Sequence, residues 1–258
     1  AGLSRRQRWQ AVAHAGKMVS ESPRLWGRPR DLPLGDSVRW VRPEVVDAAL
    51  AEGRGLLLLT PHLGCFEITA QAYAERFGAH KPVTALYRPA KQAWLAKLMK
   101  NARNRPGMLT SPATLSGVRQ MLRALKKGET VGLLPDQVPP EGMGVWAPFF
   151  GRPAYTMTMA AKLVAQTGCA VVLLRGERLG WRARARHGCD YIVHADRVAA
   201  DLEQVLAGGD AAQSAATVNR LMEAMIMQAP EQYLWGYNRY KGPRAEILTS
   251  ATGTEGQS

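Results

Sequence analysis

The sequence predicts a single α/β domain, with a central sheet, mostly parallel or mixed, flanked by helices. Three observations carry this. Strand-like and helix-spaced stretches alternate along the chain. An apolar share of 46% over 258 residues is enough for one large core. The run Leu56-Leu57-Leu58-Leu59-Thr60, stopped by Pro61, has the length and apolarity of a buried strand.

Taken in order, residues 3–19 mix Arg5, Arg6, Arg8 and Lys17 with Leu3, Trp9, Val12 and Met18. This is a weakly amphipathic basic helix, suited either to a membrane surface or to plain solvation. Residues 43–50 form a short helix, with Pro43 in its first turn and Gly53 past its end. Strand 56–60 leads into a helix over 63–77, marked by Phe66, Ala70, Tyr73 and Phe77 and stopped by Gly78. Residues 82–87 are the next strand and 91–103 the next helix. Leu115, Val118, Met121, Leu122 and Leu125 mark a helix over 112–127, ended by Gly128. Strand 130–134 follows, and then a long Gly/Pro-rich loop over 135–153. A helix is expected over 155–167 and an apolar strand over 169–175. Two edge strands are expected over 178–186 and 190–195, and a helix over 211–227. Residues 230–244 interleave aromatics with cations. The small polar residues from 246 onward are expected to be disordered.

His62 and Glu67 stand five apart at the turn from strand 56–60 into the next helix, on the side of the sheet where α/β proteins hold ligands. Residues five apart do not share a helix face. The two meet only if the His62 ring folds back toward Glu67. A carboxylate bonded to one nitrogen of a His ring fixes its tautomer and leaves the other nitrogen free to take a proton. The spacing equally fits a His that caps the helix and a Glu that complements its dipole. Asp136 and Gln137 stand at the end of strand 130–134, also on the ligand side. Their loop has two readings: a groove lined by Trp146, Phe149 and Phe150, or an Ω-loop packed by its own aromatics.

The 34 Lys and Arg against 21 Asp and Glu give a net charge of +13, which favours anionic partners. Cys65, Cys169 and Cys189 are odd in number and far apart, which argues against a disulfide framework or a zinc site and for a reducing compartment. No apolar stretch is long enough to span a membrane. The chain begins at Ala1, which leaves room for a segment removed upstream. Gly35-Asp36-Ser37 lacks a preceding strand, and no Gly-x-Ser-x-Gly elbow occurs. Gly142-Met143-Gly144 follows prolines and opens no helix. Cys65 is better read as a small core residue than as a nucleophile. The aromatic-basic segment suits a membrane interface with phosphate contacts, and ranks single-stranded nucleic acid second because no nucleic-acid module is present.

The His62-x4-Glu67 block resembles the signature of the lysophospholipid acyltransferase superfamily. Four further blocks occur with it: Leu86-Tyr87-Arg88-Pro89, Gly132-Leu133-Leu134-Pro135-Asp136-Gln137, Ala147-Pro148-Phe149-Phe150-Gly151 and Pro230-Glu231-Gln232-Tyr233-Leu234-Trp235. This ordered set, from about residue 38 to residue 244, resembles the bacterial lipid A late acyltransferases of the lauroyl and myristoyl transferase type. Two features depart from that family. Its usual Asn before the His is Pro61 here. Its hydrophobic N-terminal membrane helix is missing from this sequence, so either the helix precedes Ala1 or this member is held peripherally.

The resemblance implies a glycerol-phosphate-acyltransferase-like fold and an acyltransferase catalytic domain over 23–245, between the basic amphipathic helix, over 1–22, and the disordered tail, over 246–258, that the residues themselves suggest. It implies transfer of a fatty acyl chain from acyl carrier protein to a hydroxyl of a phosphorylated glycolipid, at the cytoplasmic face of the bacterial inner membrane, with no cofactor and no metal. His62 would be the base and Glu67 its orienting partner. Arg88, Asp136, Gln137, Arg239 and Lys241 would serve substrate binding. The expected partners are acyl carrier protein, the lipid A precursor and an anionic membrane surface, with no nucleic acid. Acylation of another lipid, such as a lysophospholipid, glycerol phosphate, an ornithine lipid or a mannosylated lipid, uses the same machinery. A non-catalytic basic membrane or nucleic-acid binding protein is the reading from a different class.

Overall fold

The computed structural model describes residues 2–87 and 92–244. Its first element is helix α1 (Arg5–Trp26). Ser4 and Gln7 close its start in a reciprocal capping box. The helix runs past the expected end at residue 22 and tolerates Pro23 in its last turn. Strand β1 (Val38–Val41) and helix α2 (Glu44–Ala51) follow, then β2 (Leu56–Leu59), α3 (Phe66–Phe77), β3 (Val83–Tyr87), α4 (Ala93–Arg103), β4 (Met108–Pro112), α5 (Leu115–Lys126) and β5 (Thr130–Leu133). A hairpin of β6 (Gly144–Phe149) and β7 (Arg152–Met157) leads to α6 (Met159–Thr167), β8 (Ala170–Arg178), α7 (Trp181–His187), β9 (Tyr191–Arg197), α8 (Ala200–Gly208) and α9 (Ala211–Ile226).

Seven strands form one sheet in the order β1-β9-β8-β2-β5-β3-β4. Every pairing is parallel except β8 with β9. This is the mostly parallel α/β class that the sequence predicts. β2 lies at the centre, between β8 and β5. Its four leucines are buried on both faces. Leu57 and Leu59 join Met121, Val131, Leu163, Val171 and Met222 in one core layer. Leu56 and Leu58 join Val46, Ile68, Tyr73, Val172 and Val193 in the other.

Four expectations are corrected. The loop over 135–153 contains β6, and the expected helix start at 155 lies in β7. Phe150 and Gly151 both have positive φ (46° and 73°) and join the two strands in the two-residue turn geometry that matches strand twist. A phenylalanine is unusual there, and the Glu223 carboxylate fixes it by accepting the Phe150 N–H at 2.7 Å. Pro148 and Pro153 face each other across the hairpin, and this proline content is what made the segment look like a loop.

The expected strand over 178–186 is helix α7. Its Trp-Arg-Ala-Arg-Ala-Arg alternation imitates a strand, but Arg and Ala are strong helix formers and Gly188 closes the helix in the left-handed conformation. β9 is not an edge strand, because it lies between β1 and β8; β1 and β4 are the edges. Finally, β1, β4 and α8 were not anticipated.

Candidate active site

β2 and β5 are neighbours with Leu59 opposite Leu133. Thr60 N–H donates to the Leu133 carbonyl at 3.1 Å and extends the ladder by one step. Each strand then meets a proline, Pro61 and Pro135, which ends the ladder. The next residues are His62 and Asp136, both three positions past the paired leucines. Parallel register therefore sets the two side chains next to each other at the carboxyl edge of the sheet, where such sheets hold ligands.

The contact is two-pronged. Asp136 Oδ1 lies 2.7 Å from His62 Nδ1, and Asp136 Oδ2 accepts the His62 backbone N–H at 2.8 Å. The Asp136 side chain is 1% exposed and that of His62 15%. Burial by itself raises the pKa of such a carboxyl, but the adjacent His62 imidazole and the two bonds from that residue outweigh it and hold Asp136 below its ordinary value. An ionised Asp136 takes the Nδ1 proton as its partner, which places the lone pair on Nε2. The Gln137 side-chain nitrogen lies 3.1 Å from that Nε2. Phe66 closes one side of the ring, edge-on, with centroids 4.8 Å apart.

The expected orientation of His62 by Glu67 is corrected by this geometry. Glu67 lies in the first turn of α3, and its two carboxylate oxygens both accept from the Arg103 guanidinium at the end of α4. Its neighbours are thus a cation and the helix start, while the nitrogen of His62 that needs an orienting acceptor faces Asp136. Asp136, read from the sequence as a substrate-binding residue, sits behind His62 rather than in front of it.

The turn that carries His62 is fixed from three sides. The C-terminal segment lies against it: Gly64 N–H donates to Gln232 O at 3.0 Å and Leu234 N–H donates to His62 O at 3.0 Å. β8 approaches from the other side, where Cys65 N–H donates to Gly176 O at 2.9 Å. Gly64 has φ 57°, and a Cβ there would stand 1.9 Å from Gly176 O, so only glycine fits. Beneath the turn, the buried Arg178 donates to Gly64 O at 2.8 Å and binds both oxygens of Glu21 from α1. Burial works against that cation, and Glu21 more than offsets it. The Gln232 amide joins the same region by accepting from Arg178 N and donating to Arg178 O. α1 is therefore built into the support of the turn that carries His62.

Leu63 N–H donates to Pro61 O at 2.7 Å, and with those of Gly64 and Cys65 also paired, the N–H groups of Phe66 and Glu67 at the start of α3 are left without a backbone acceptor among the described residues. Cys65 is buried, and burial pushes its thiol well above the ordinary value, so it is not a nucleophile.

Arg239 is also corrected. It is 3% exposed, and its guanidinium donates to Tyr155 O (2.7 Å), Thr156 Oγ1 (2.7 Å) and Asn219 Oδ1 (3.4 Å). It locks the tail to the β6–β7 hairpin and α9 and does not face solvent. Lys241 is part-exposed, with Nζ 4.4 Å from the Tyr237 ring centroid. Tyr233 is buried beside Asp136, and burial together with that carboxylate raises its phenol pKa. In the sequence Tyr233 has no role beyond its motif; the structure sets its phenol against the Asp136 carboxylate. Arg88 and the tail over 246–258 lie outside the described residues.

An imidazole held by a buried carboxylate, at the carboxyl edge of a mostly parallel sheet and beside a helix start, is an arrangement that can take a proton from a hydroxyl. The chain belongs to the bacterial lipid A biosynthesis acyltransferase family, whose profile matches residues 8–242. It is 30% identical over 192 residues to the lipid A biosynthesis lauroyltransferase of Escherichia coli strain K12, covering 74% of this chain and 58% of that protein. It is also 30% identical over 210 residues to the palmitoleoyltransferase of the same organism, covering 79% and 62%. A lipid A biosynthesis acyltransferase of Haemophilus influenzae is 25% identical over 193 residues, covering 74% and 55%. The chain spans less than two thirds of the length of these relatives. Among its described residues, no helix is long and apolar enough to cross a membrane.

Proposed function

We propose that this protein transfers a fatty acyl chain from the thioester of acyl carrier protein to a hydroxyl of a lipid A precursor, with His62 as general base and Asp136 as its orienting partner. The observation that carries the chemistry is the two-pronged bond between His62 and the buried Asp136. The family and the activities named for its relatives support the substrate class.

His62 Nε2 takes the proton of the acceptor hydroxyl as its oxygen bonds to the thioester carbonyl carbon. The oxyanion forms next to the N–H groups of Phe66 and Glu67 at the positive end of α3. As the carbon–sulfur bond breaks, the imidazolium returns its proton to the departing thiolate. The ester and the free carrier thiol leave. Gln137 occupies the hydroxyl's seat on Nε2 in the resting site and swings aside to bind the acceptor. Lys241 meets anionic parts of the substrate, and Arg88 keeps that role on the family resemblance. The net charge of +13 suits both an acidic carrier and a phosphorylated lipid. The enzyme works at the cytoplasmic face of the inner membrane.

The test is incubation of the purified protein with a lipid A precursor and acyl carrier protein thioesters of several chain lengths. We expect one added acyl group by mass spectrometry, and a loss of about 10²–10⁴-fold for His62→Ala. Near-normal turnover of that variant, or no acyl transfer by a well-folded wild type, refutes the reading.

A further inference from the structure

α1 turns its inner side toward the catalytic turn. Ala11 and Leu25 are buried, Glu21 grips Arg178, and His14 Nδ1 lies 3.2 Å from the same guanidinium. Its outer side is unusual for a helix over water. Trp9, Val12 and Val19 are 68%, 66% and 67% exposed, and at helical spacing they fall on one stripe. Exposed Arg5, Arg6, Arg8 and Lys17 border that stripe. The one acidic residue of the helix, Glu21, points inward to Arg178.

α7 repeats the pattern. Trp181 is 76% exposed, the most of any large apolar residue among those described. Arg182 and Arg186, both exposed, share its helix, and the helix has no acid. α7 begins three residues past Arg178, where β8 ends at the same edge of the sheet as His62. The two helices are tied together through Asp190, which pairs with Arg24 of α1 (3.9 Å) and Arg184 of α7 (3.1 Å). The exposed apolar residues of α1 and α7 thus belong to two neighbouring helices, one of which supports the turn that carries His62.

We propose that the outer faces of α1 and α7 form a docking surface for an anionic lipid bilayer. Cations attract the headgroups, and Trp9, Val12, Val19 and Trp181 enter the boundary between headgroups and acyl chains, where tryptophan is favoured. An acidic protein would match the arginines, but it gives no reason for bare tryptophan and valine between them. Docking here holds the bilayer against the edge of the sheet that carries His62, so a lipid acceptor reaches the base without leaving the membrane. Only this catalytic benefit rests on the proposed acyl transfer; the surface stands independently of it.

The test is flotation of the full chain with phosphatidylcholine vesicles with and without phosphatidylglycerol. We expect binding that requires the anionic lipid and weakens with salt. Each surface cation contributes about fivefold, so Arg182→Ser with Arg186→Ser lowers binding by about thirtyfold. Trp181→Ser with Trp9→Ser lowers it by a similar factor at unchanged charge. Both double variants keep wild-type turnover on detergent-dispersed substrate. Unchanged vesicle binding by both overturns the proposal. So does a surface that binds acyl carrier protein and not vesicles, with that binding lost in the arginine variant. If vesicle binding behaves as expected but no acyl transfer occurs, the docking surface stands and the proposed reaction fails.

Discussion

Asp136→Asn replaces one oxygen by an NH₂ group and leaves the volume unchanged. Asp136 now accepts two bonds from one residue, at Nδ1 and at the backbone N–H of His62. Asparagine has only one acceptor oxygen for them. If the oxygen keeps the backbone N–H, the NH₂ faces Nδ1, and the imidazole must carry its proton on Nε2, the wrong nitrogen for a base. The opposite flip sets two buried donors against each other, at a cost of about 1–3 kcal/mol. The variant also lacks the charged acceptor that steadies the imidazolium, a bond worth about 1.5–3 kcal/mol. Together these raise the barrier by about 3–6 kcal/mol, or roughly 10²–10⁴-fold in kcat. The assay is steady-state acyl transfer at saturating thioester, with a thermal melt to show that the variant is folded. A folded Asp136→Asn enzyme within threefold of the wild-type kcat would refute the assignment of Asp136 behind His62.

Glu67 and Arg103 act as a pair, so Glu67→Gln, Arg103→Gln and the double variant are expected to be non-additive, with a coupling of about 1–3 kcal/mol in stability or activity; additive effects return Glu67 to an independent role. Burial, with Lys17 and Arg178 nearby, lowers the pKa of His14 from 6.5 to about 4. The unfolded chain therefore binds more protons between those values, and the stability gained from a neutral His14 is fully present above pH 6.5 and lost as pH falls toward 4. His14→Gln should flatten that part of a urea-denaturation pH series, and an unchanged slope contradicts the assignment. Arg239→Ala leaves the Tyr155 carbonyl and Thr156 and Asn219 oxygens without their donor and is expected to lower stability by about 2–4 kcal/mol. A normal melt combined with a selective loss of lipid binding returns Arg239 to the substrate side.

The strand-turn-helix that carries His62 was legible because it is local: four leucines, a proline and then helical spacing. The partner of His62 was not, because Asp136 is 74 residues away and meets it only once β5 is known to lie next to β2. A usable signal did exist. Leu59-Thr60-Pro61-His62 and Leu133-Leu134-Pro135-Asp136 are the same pattern twice, each an apolar strand ending in proline and a titratable residue. Glu67 was assigned by the resemblance of the His62-x4-Glu67 block to a family signature, while the five-residue spacing itself argued against a shared face. Arg239 was misread because alternating aromatics and cations look like a surface, whereas these aromatics cover β6, β7 and α9. α7 was misread because its alternation has the period of a strand.

The placement of His62 and Asp136 by strand register has a thermal consequence. Neither residue hangs from an independent loop, since each stands three residues past a paired leucine, Leu59 or Leu133, that is fully buried. Local opening free energies rise toward the global value in such central strands. The reactive pair therefore belongs to the final cooperative unit to melt, and amide exchange at Leu59 and Leu133 should set the lifetime of an intact catalytic centre.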